Sequence, residues 1–97
     1  MKGCSFHRLA ELELLDAAAY YDLESPGLGR TFLTEIEACL ERILQQPRAG
    51  VVLRGDVRRR LLARFPFGLL YKVKPNGVRI LAVMNLRRRP WYWVGRE

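Results

Sequence analysis

The residue types that can do chemistry are gathered near the end of this 97-residue chain. Three arginines precede a proline and a run of aromatic residues there. Guanidinium groups bind phosphate or carboxylate in a planar, bidentate way, and large aromatic rings stack on bases or fill pockets on protein partners. This segment therefore predicts a surface that binds a nucleic acid or protein target. The predicted target-binding residues are Arg87, Arg88, Arg89, Trp91, Tyr92 and Trp93.

Cleavage of RNA without a metal is the main catalytic alternative. It needs a proton acceptor, a proton donor and cations around the phosphate. Arg60 and Arg64 are suitable cations, and Tyr92 is a weak candidate for proton transfer because its ordinary pKa is near ~10. The one histidine, His7, falls in the first, short strand as a surface or edge residue. We therefore disfavour nuclease chemistry and retain Arg60, Arg64 and Tyr92 as weak catalytic candidates.

The cysteine spacing gives no sign of a metal or cofactor site. Cys4 and Cys39 lie 35 positions apart and have no CxxC partner. Zinc sites are usually built from such closely spaced pairs. We expect two buried thiols, no metal and no cofactor.

The charge distribution is strongly uneven. Residues 11–41 carry a net charge of −7 and residues 42–97 a net charge of +12. Such a block of positive potential steers a protein toward a polyanion or an acidic partner chain. The alternative is that the arginines only keep the surface soluble.

Composition predicts a single folded domain over residues 1–97, because 49% of the residues are apolar and only 28% are charged. No run approaches the ~20 apolar residues of a membrane-spanning helix, and the first ten residues lack the features of an export signal. We expect a cytoplasmic protein with no membrane partner.

Two helices are predicted in the first half of the chain. Three- and four-residue spacing of Leu9, Leu12, Leu15, Ala19 and Leu23 predicts a helix over residues 9–24. After the Pro- and Gly-containing residues 25–29, a second apolar stripe predicts a helix that ends before Pro47. Together they predict a helical hairpin that follows a short strand.

The second half of the chain shows the two-residue period of strands. Asn76 and Gly77 predict a tight hairpin turn that places Lys74 opposite Arg79. This register puts Leu69, Tyr71, Val73, Ile80, Ala82 and Met84 on a face that packs on the helices. The other face mixes apolar and basic residues and includes Leu70, Lys72, Leu81 and Val83. A preceding strand over residues 58–65 adds Arg60, Leu62 and Arg64 to it.

That second face is too apolar to be left bare in a monomer. We expect a partner chain to cover it. The alternative is that the C-terminal segment folds back over it.

The order of elements and the motifs resemble the RelE/ParE family of toxins from type II toxin–antitoxin modules. The residues that carry the resemblance span nearly the whole chain: Ala10, Glu13, Tyr20, Tyr21, residues 25–29, Phe32, Glu35, Pro47, Arg58, Arg59, residues 64–67, Tyr71, Ala82, Val83, residues 89–93 and Arg96. The resemblance implies an α+β fold in which an N-terminal strand and a helical hairpin accompany an antiparallel sheet, with the hairpin packed on one face.

The resemblance also implies a partner. It is an acidic antitoxin that forms a hetero-oligomer with the toxin and wraps it with a helix and an extended stretch. We assign antitoxin binding to the mixed face, whose predicted contact residues are Arg60, Leu62, Arg64, Leu70, Lys72, Leu81 and Val83.

The family carries two activities on one fold, so the fold alone does not decide between them. Relatives of the RelE type cut mRNA on the ribosome, whereas relatives of the ParE type inhibit DNA gyrase. Many relatives have histidine where this chain has Asn85, and an amide does not exchange protons near neutral pH. We therefore predict a ParE-like gyrase inhibitor. The alternatives are a ribosome-dependent mRNA endoribonuclease and a decayed toxin that only binds its antitoxin.

Overall fold

The computed structural model describes residues 3–97. Its elements in chain order are β1 Cys4–Phe6, α1 Arg8–Glu24, α2 Leu28–Gln45, a short 3-10 turn Pro47–Ala49, β2 Val51–Arg54, β3 Val57–Leu61, β4 Phe67–Lys74 and β5 Gly77–Asn85. The predicted α+β fold, with a helical hairpin on one face of a sheet, is confirmed.

The five strands form one mixed sheet in the order β1-β5-β4-β3-β2. Strands β2 to β5 are antiparallel, whereas β1 lies parallel to β5. The pairing of β1 ends where Phe6 lies opposite Ile80, because α1 begins two residues later. The outer edge of β5 beyond Ile80 therefore has no strand beside it.

The predicted register of the β4–β5 hairpin is wrong. The turn residues are Pro75 and Asn76, and Lys74 pairs with Gly77. Gly77 has a φ of +148°. A Cβ at this position would collide with the carbonyl of Gly3, the residue that precedes β1. Only glycine fits this close approach.

A β-bulge then reverses the faces of the distal half of β5. Tyr71 pairs with Ile80 but Leu70 pairs with Ala82, so Leu81 is an extra residue in β5. One extra residue turns every later side chain to the opposite face. Val83 therefore faces the helices, while Ala82 and Met84 lie on the other face, contrary to the prediction.

The predicted third strand is also too long and has the opposite alternation. Strand β3 ends at Leu61, and Arg60 pairs with Leu69, so Arg60 lies on the helix-facing side of the sheet. Leu62 belongs to the core beneath the helices. The four residues Arg60, Leu62, Arg64 and Val83 are thus not on the mixed face that we predicted.

Helix α1 packs through a different face from the predicted stripe. Its buried residues are Ala10 and Ala17, whereas Leu12, Leu15 and Leu23 are exposed. The small residues allow close contact: a Cβ on Gly29 of α2 would overlap a backbone carbonyl of α1. Helix α2 follows the prediction more closely, since Phe32, Ile36, Cys39, Leu40 and Ile43 are all buried.

The face of the sheet away from the helices has its own core. Val57, Leu70, Leu81, Ala82, Met84 and Trp93 form this second cluster, with Leu53 and Tyr92 packed against it. Leu70 and Leu81 are fully buried within the chain itself. The C-terminal segment therefore covers this face, as in the alternative above, and the expectation that a partner chain covers it is wrong.

Within residues 3–97, neither long helix has a stretch apolar enough to span a bilayer.

Candidate functional site

The chain leaves the sheet at Asn85 and forms an exposed loop before it returns. The Asn85 side chain accepts a hydrogen bond from the Arg87 N–H at 2.9 Å, which turns the chain away from β5. The return is fixed by the Trp93 indole, which donates to the Pro90 carbonyl at 2.7 Å. We call residues 87–92 the basic-aromatic loop.

Most of the predicted target-binding residues lie on this loop at the surface. Arg87, Arg88, Arg89 and Trp91 are exposed, and half of the Trp91 surface is accessible. Trp93 is not available for binding, because it is 3% exposed and belongs to the second core. Its assignment as a target contact is therefore wrong.

Cation–π contacts order the aromatic rings of the loop. The Arg88 guanidinium lies 4.1 Å from the centroid of the Tyr92 ring, and Arg54 of β2 lies 5.9 Å from that of Trp91. Such contacts hold the rings, while half of the Trp91 surface stays accessible. The loop therefore presents arginine and tryptophan side by side.

Helix α1 is joined to the end of the chain by an ion pair. Arg96 donates from both terminal nitrogens to the two carboxylate oxygens of Glu13, each at 3.0 Å. Both side chains are largely buried. The pair fixes the returning chain against the edge of the sheet.

Tyr92 lies beside this pair and is a poor base. Its hydroxyl is buried without a hydrogen-bond partner, and burial together with the negative charge of Glu13 raises its pKa far above the ordinary value. A phenol with a raised pKa stays protonated at neutral pH. The catalytic prediction for Tyr92 as a proton acceptor therefore fails.

The three weak catalytic candidates are not brought together. Arg60 points to the helix side of the sheet and Tyr92 packs on the opposite side. Arg64 lies in the loop before β4, where its guanidinium binds the Glu35 carboxylate. The sheet itself separates the cations from the phenol, so these residues do not form one cleavage site.

His7 has a structural role that the sequence did not reveal. It is the N-cap of α1, and its Nδ1 accepts the Leu9 N–H at 3.0 Å. Burial and the positive charges of Arg96 and Arg79 lower its pKa. A neutral imidazole is required here, because a protonated one has no free acceptor.

A basic cleft lies beside the outer edge of the sheet, and the sequence reasoning missed it. It has a volume of about 390 Å³ and is lined by Arg42, Ala49, Gly50, Val51, Arg59, Arg60 and Leu61. No carboxylate lies within 4.0 Å of its three guanidinium groups among residues 3–97. Only the joining of α2 to the β2–β3 edge brings these residues together, so sequence spacing carried no signal.

A second cleft, of about 400 Å³, lies between α1 and the start of the basic-aromatic loop. Tyr20, Tyr21, Phe67, Asn85 and Arg87 contribute to its lining. Tyr21 packs on the rings of Phe32, Phe65 and Phe67. Tyr20 is exposed, and its ring contacts the Tyr21 ring edge-on. Asn85 thus lines a surface cleft, and its amide side chain does not exchange a proton there near neutral pH.

Nowhere in residues 3–97 do three or more His, Cys, Asp or Glu side chains meet as metal ligands do. Cys4 is half-buried and Cys39 is buried, and both are free thiols.

Comparison with known proteins identifies relatives of the fold. The profile of the ParE toxin of type II toxin–antitoxin systems, parDE, matches residues 4–90. A solved structure described as the chromosomal ParDE TA system from P. aeruginosa superposes with a TM-score of 0.76 at 21% identity, covering 90% of this chain and 98% of that one. None of the curated proteins matches.

Proposed function

The chain belongs to the ParE toxin family of type II toxin–antitoxin systems, and we propose that its target is DNA gyrase, which it inhibits by binding. The proposal needs no catalytic group in the toxin. It requires a well-anchored surface that a large enzyme can accept.

The observation that supports it is the exposed basic-aromatic loop. Arg88 and Trp91 are held in place by contacts to Tyr92 and Arg54 and still face solvent. Arginine and tryptophan are the residues that most often dominate protein interfaces, each with ~2 kcal/mol or more when buried at the centre. A site for RNA cleavage has no comparable support, because the candidate groups lie on opposite sides of the sheet.

A supercoiling assay tests the proposal. Purified toxin should inhibit ATP-dependent supercoiling by gyrase, and Trp91→Ala should weaken the inhibition about tenfold or more. Deleting the segment after residue 86 is a poorer variant, because it uncovers the second core. Codon-phased mRNA cleavage by ribosomes, with supercoiling unaffected, would favour the endoribonuclease. Inactivity in both assays together with tight antitoxin binding would favour the decayed toxin.

We further propose that an acidic antitoxin neutralises the toxin. The predicted contacts Leu70 and Leu81 are inaccessible, so the surface must lie elsewhere. Two exposed apolar surfaces remain as candidates: the leucines of α1 and the β2 edge with Val51, which is 63% exposed.

Charge favours the second of these surfaces. The leucine stripe of α1 is bordered by Glu11, Asp16 and Asp22, which repel an acidic chain. Val51 lies beside the basic cleft of Arg42, Arg59 and Arg60, and β2 is an edge strand whose backbone can pair with an extended segment. We assign the extended stretch of the antitoxin to the basic cleft.

Matched substitutions test this assignment. The probe is the cognate antitoxin, which we expect to be a small acidic protein encoded beside the toxin. Val51→Asp should weaken its binding at least tenfold by calorimetry, whereas Leu12→Asp, at an exposed leucine of α1, should leave the affinity within twofold. The reverse pattern would move the antitoxin to the α1 stripe.

A further inference from the structure

We propose that Glu13 and Arg96 are positioning residues that hold the basic-aromatic loop in the orientation needed to bind the target. This inference rests on the proposed function, because it assigns a task to the loop that the function uses. Neither residue touches the target in this proposal. They act through Tyr92.

The pair is built as a rigid clamp. Two parallel hydrogen bonds of 3.0 Å join the guanidinium and the carboxylate, a geometry that fixes the relative orientation of both groups. The side chains of Arg96 and Glu13 are only 11% and 15% exposed. Surface ion pairs are mobile and weak, but a pair shielded from water keeps its geometry.

The clamp is also bonded to the backbone of β5. Glu13 accepts the Val83 N–H at 3.0 Å, and Arg96 donates to the Leu81 carbonyl at 3.0 Å. These groups lie beyond Ile80, where β1 no longer pairs with β5. The two side chains replace the missing strand, so neither can rotate without leaving a β5 backbone group unpaired.

The clamp reaches the loop through the Tyr92 ring. Arg96 lies 5.0 Å from the ring centroid and Arg88 lies 4.1 Å from it. The ring is therefore shared by one arginine of the clamp and one arginine of the exposed loop. A change in the clamp should move Tyr92 and, with it, Arg88 and the neighbouring Trp91.

A second pair in the same molecule is a natural control. Glu35 of α2 binds the Arg64 guanidinium and accepts the Arg64 N–H at 3.1 Å. Like Glu13, it is a helical glutamate that holds a distant arginine and a backbone N–H. It holds the loop before β4 instead of the basic-aromatic loop.

The experiment compares Glu13→Gln with Glu35→Gln. The indole N–H resonances of Trp91 and Trp93 in ¹⁵N-labelled protein report the loop, and gyrase supercoiling reports inhibition. Glu13→Gln should shift or broaden the Trp91 resonance and raise the inhibitory concentration about tenfold. Glu35→Gln should leave the Trp91 resonance in place and the inhibition within twofold. Arg96→Lys, which keeps the charge but not the two parallel bonds, should resemble Glu13→Gln and serves if that variant does not fold.

The outcomes separate this inference from the proposed function. An unmoved Trp91 resonance in folded Glu13→Gln or Arg96→Lys overturns the clamp, as does a moved resonance with undiminished inhibition. Equal effects in Glu13→Gln and Glu35→Gln would show a general loss of structure and also overturn it. If the wild type does not inhibit gyrase, the proposed target is wrong. The clamp is then judged by the resonances together with growth inhibition by the two variants in cells.

Discussion

Leu69 and Leu70 are neighbours in β4, and both are fully buried, but they lie in different cores. Leu69 packs beneath two helices of 17 and 18 residues. Leu70 packs beneath the short C-terminal segment, which has no regular helix or strand. Leu69 and Leu70 are therefore equally buried, although the helix pair and the C-terminal segment that cover them differ greatly in size and regularity.

These unequal layers explain how the tail can both cover the sheet and present an exposed loop. The helix pair covers its face of the sheet with two long regular elements. The tail covers the other face with the side chains of Trp93 and Tyr92 and is anchored at Arg96. Most of the residues between Asn85 and Trp93 are thus left free to form the exposed basic-aromatic loop.

The largest expected effect distinguishes the two tryptophans of the tail. Trp93→Ala should lower the free energy of unfolding by about 3–5 kcal/mol, because it empties the centre of the second core. Trp91→Ala should change it by less than about 1 kcal/mol, because the side chain is half exposed. Urea denaturation followed by circular dichroism measures both.

The two tryptophan variants also test whether Trp91 and Trp93 have different roles. Trp91→Ala should lose gyrase inhibition while remaining folded. Similar losses of stability in both variants would show that Trp91 is also part of the covering layer, and the division of tasks within the tail would be wrong.

The next effect compares the two leucines. Leu69→Ala should cost about 4–5 kcal/mol and Leu70→Ala about 2–3 kcal/mol, both within the range for buried leucines. The tail has no regular structure and can settle into the cavity that Leu70 leaves, whereas internal hydrogen bonds keep the two helices stiff over the cavity that Leu69 leaves. Equal losses in urea denaturation would mean that the tail is as rigid as the helix pair.

Much of this fold could be predicted from the sequence. The helical hairpin follows from apolar spacing and from the Pro- and Gly-containing break, and the order of elements along the chain agrees with the resemblance to the toxin family. The hairpin near Asn76 was located correctly to within two residues. The apolar stripe of helix α2 and the end of the helix before Pro47 were predicted correctly.

The sequence could not predict which face of β5 or of α1 packs on the core, because each orientation depends on one local feature. The extra residue Leu81 reverses Ala82, Val83 and Met84, and no sequence pattern announces a bulge between apolar residues. Helix α1 has leucines on one side and alanines on the other. The leucines look like a core stripe, but close packing on Gly29 selects the alanines. For this reason Arg60, Leu62, Arg64 and Val83 do not lie on the mixed face to which the prediction assigned them.

The sequence predicted the kinds of residue in the candidate site but not all of the segments that contribute to it. The run of arginine and aromatic residues indicated the loop directly. The basic cleft and the Glu13–Arg96 clamp each join segments far apart in sequence, and only the folded chain brings them together.

Salt should have a moderate effect on the rate of association, because the two halves of the chain carry opposite net charge. The helical region of residues 11–41 is acidic and residues 42–97 are basic. Association with the acidic antitoxin should slow about tenfold or more between 0.1 M and 1 M salt, where the Debye length falls from ~10 Å to ~3 Å. Stopped-flow mixing measures the rate. A rate that does not change with salt would mean that the arginines only solubilise the protein.

The smallest expected effect concerns His7, which lies where the helix layer meets the tail. Burial and the charges of Arg96 and Arg79 lower its pKa, while the nearby Glu13 raises it and Arg8 lowers it further. In the unfolded chain the pKa returns to its ordinary value near ~6.5. Between the two values the unfolded state binds more protons, so stability rises with pH there.

The stability that neutral His7 provides should thus be present above pH ~6.5 and be lost as the pH falls through the lowered folded pKa. Protonation removes the acceptor for the Leu9 N–H and places a positive charge at the N-terminus of α1, where the helix dipole disfavours it. The loss should be about 0.5–1 kcal/mol, the usual contribution of an N-cap. His7→Asn is the control, because asparagine caps a helix without titrating. Its stability should therefore be flatter between pH 5 and pH ~6.5 in urea titrations. An equally steep profile in His7→Asn would place the pH dependence in other groups.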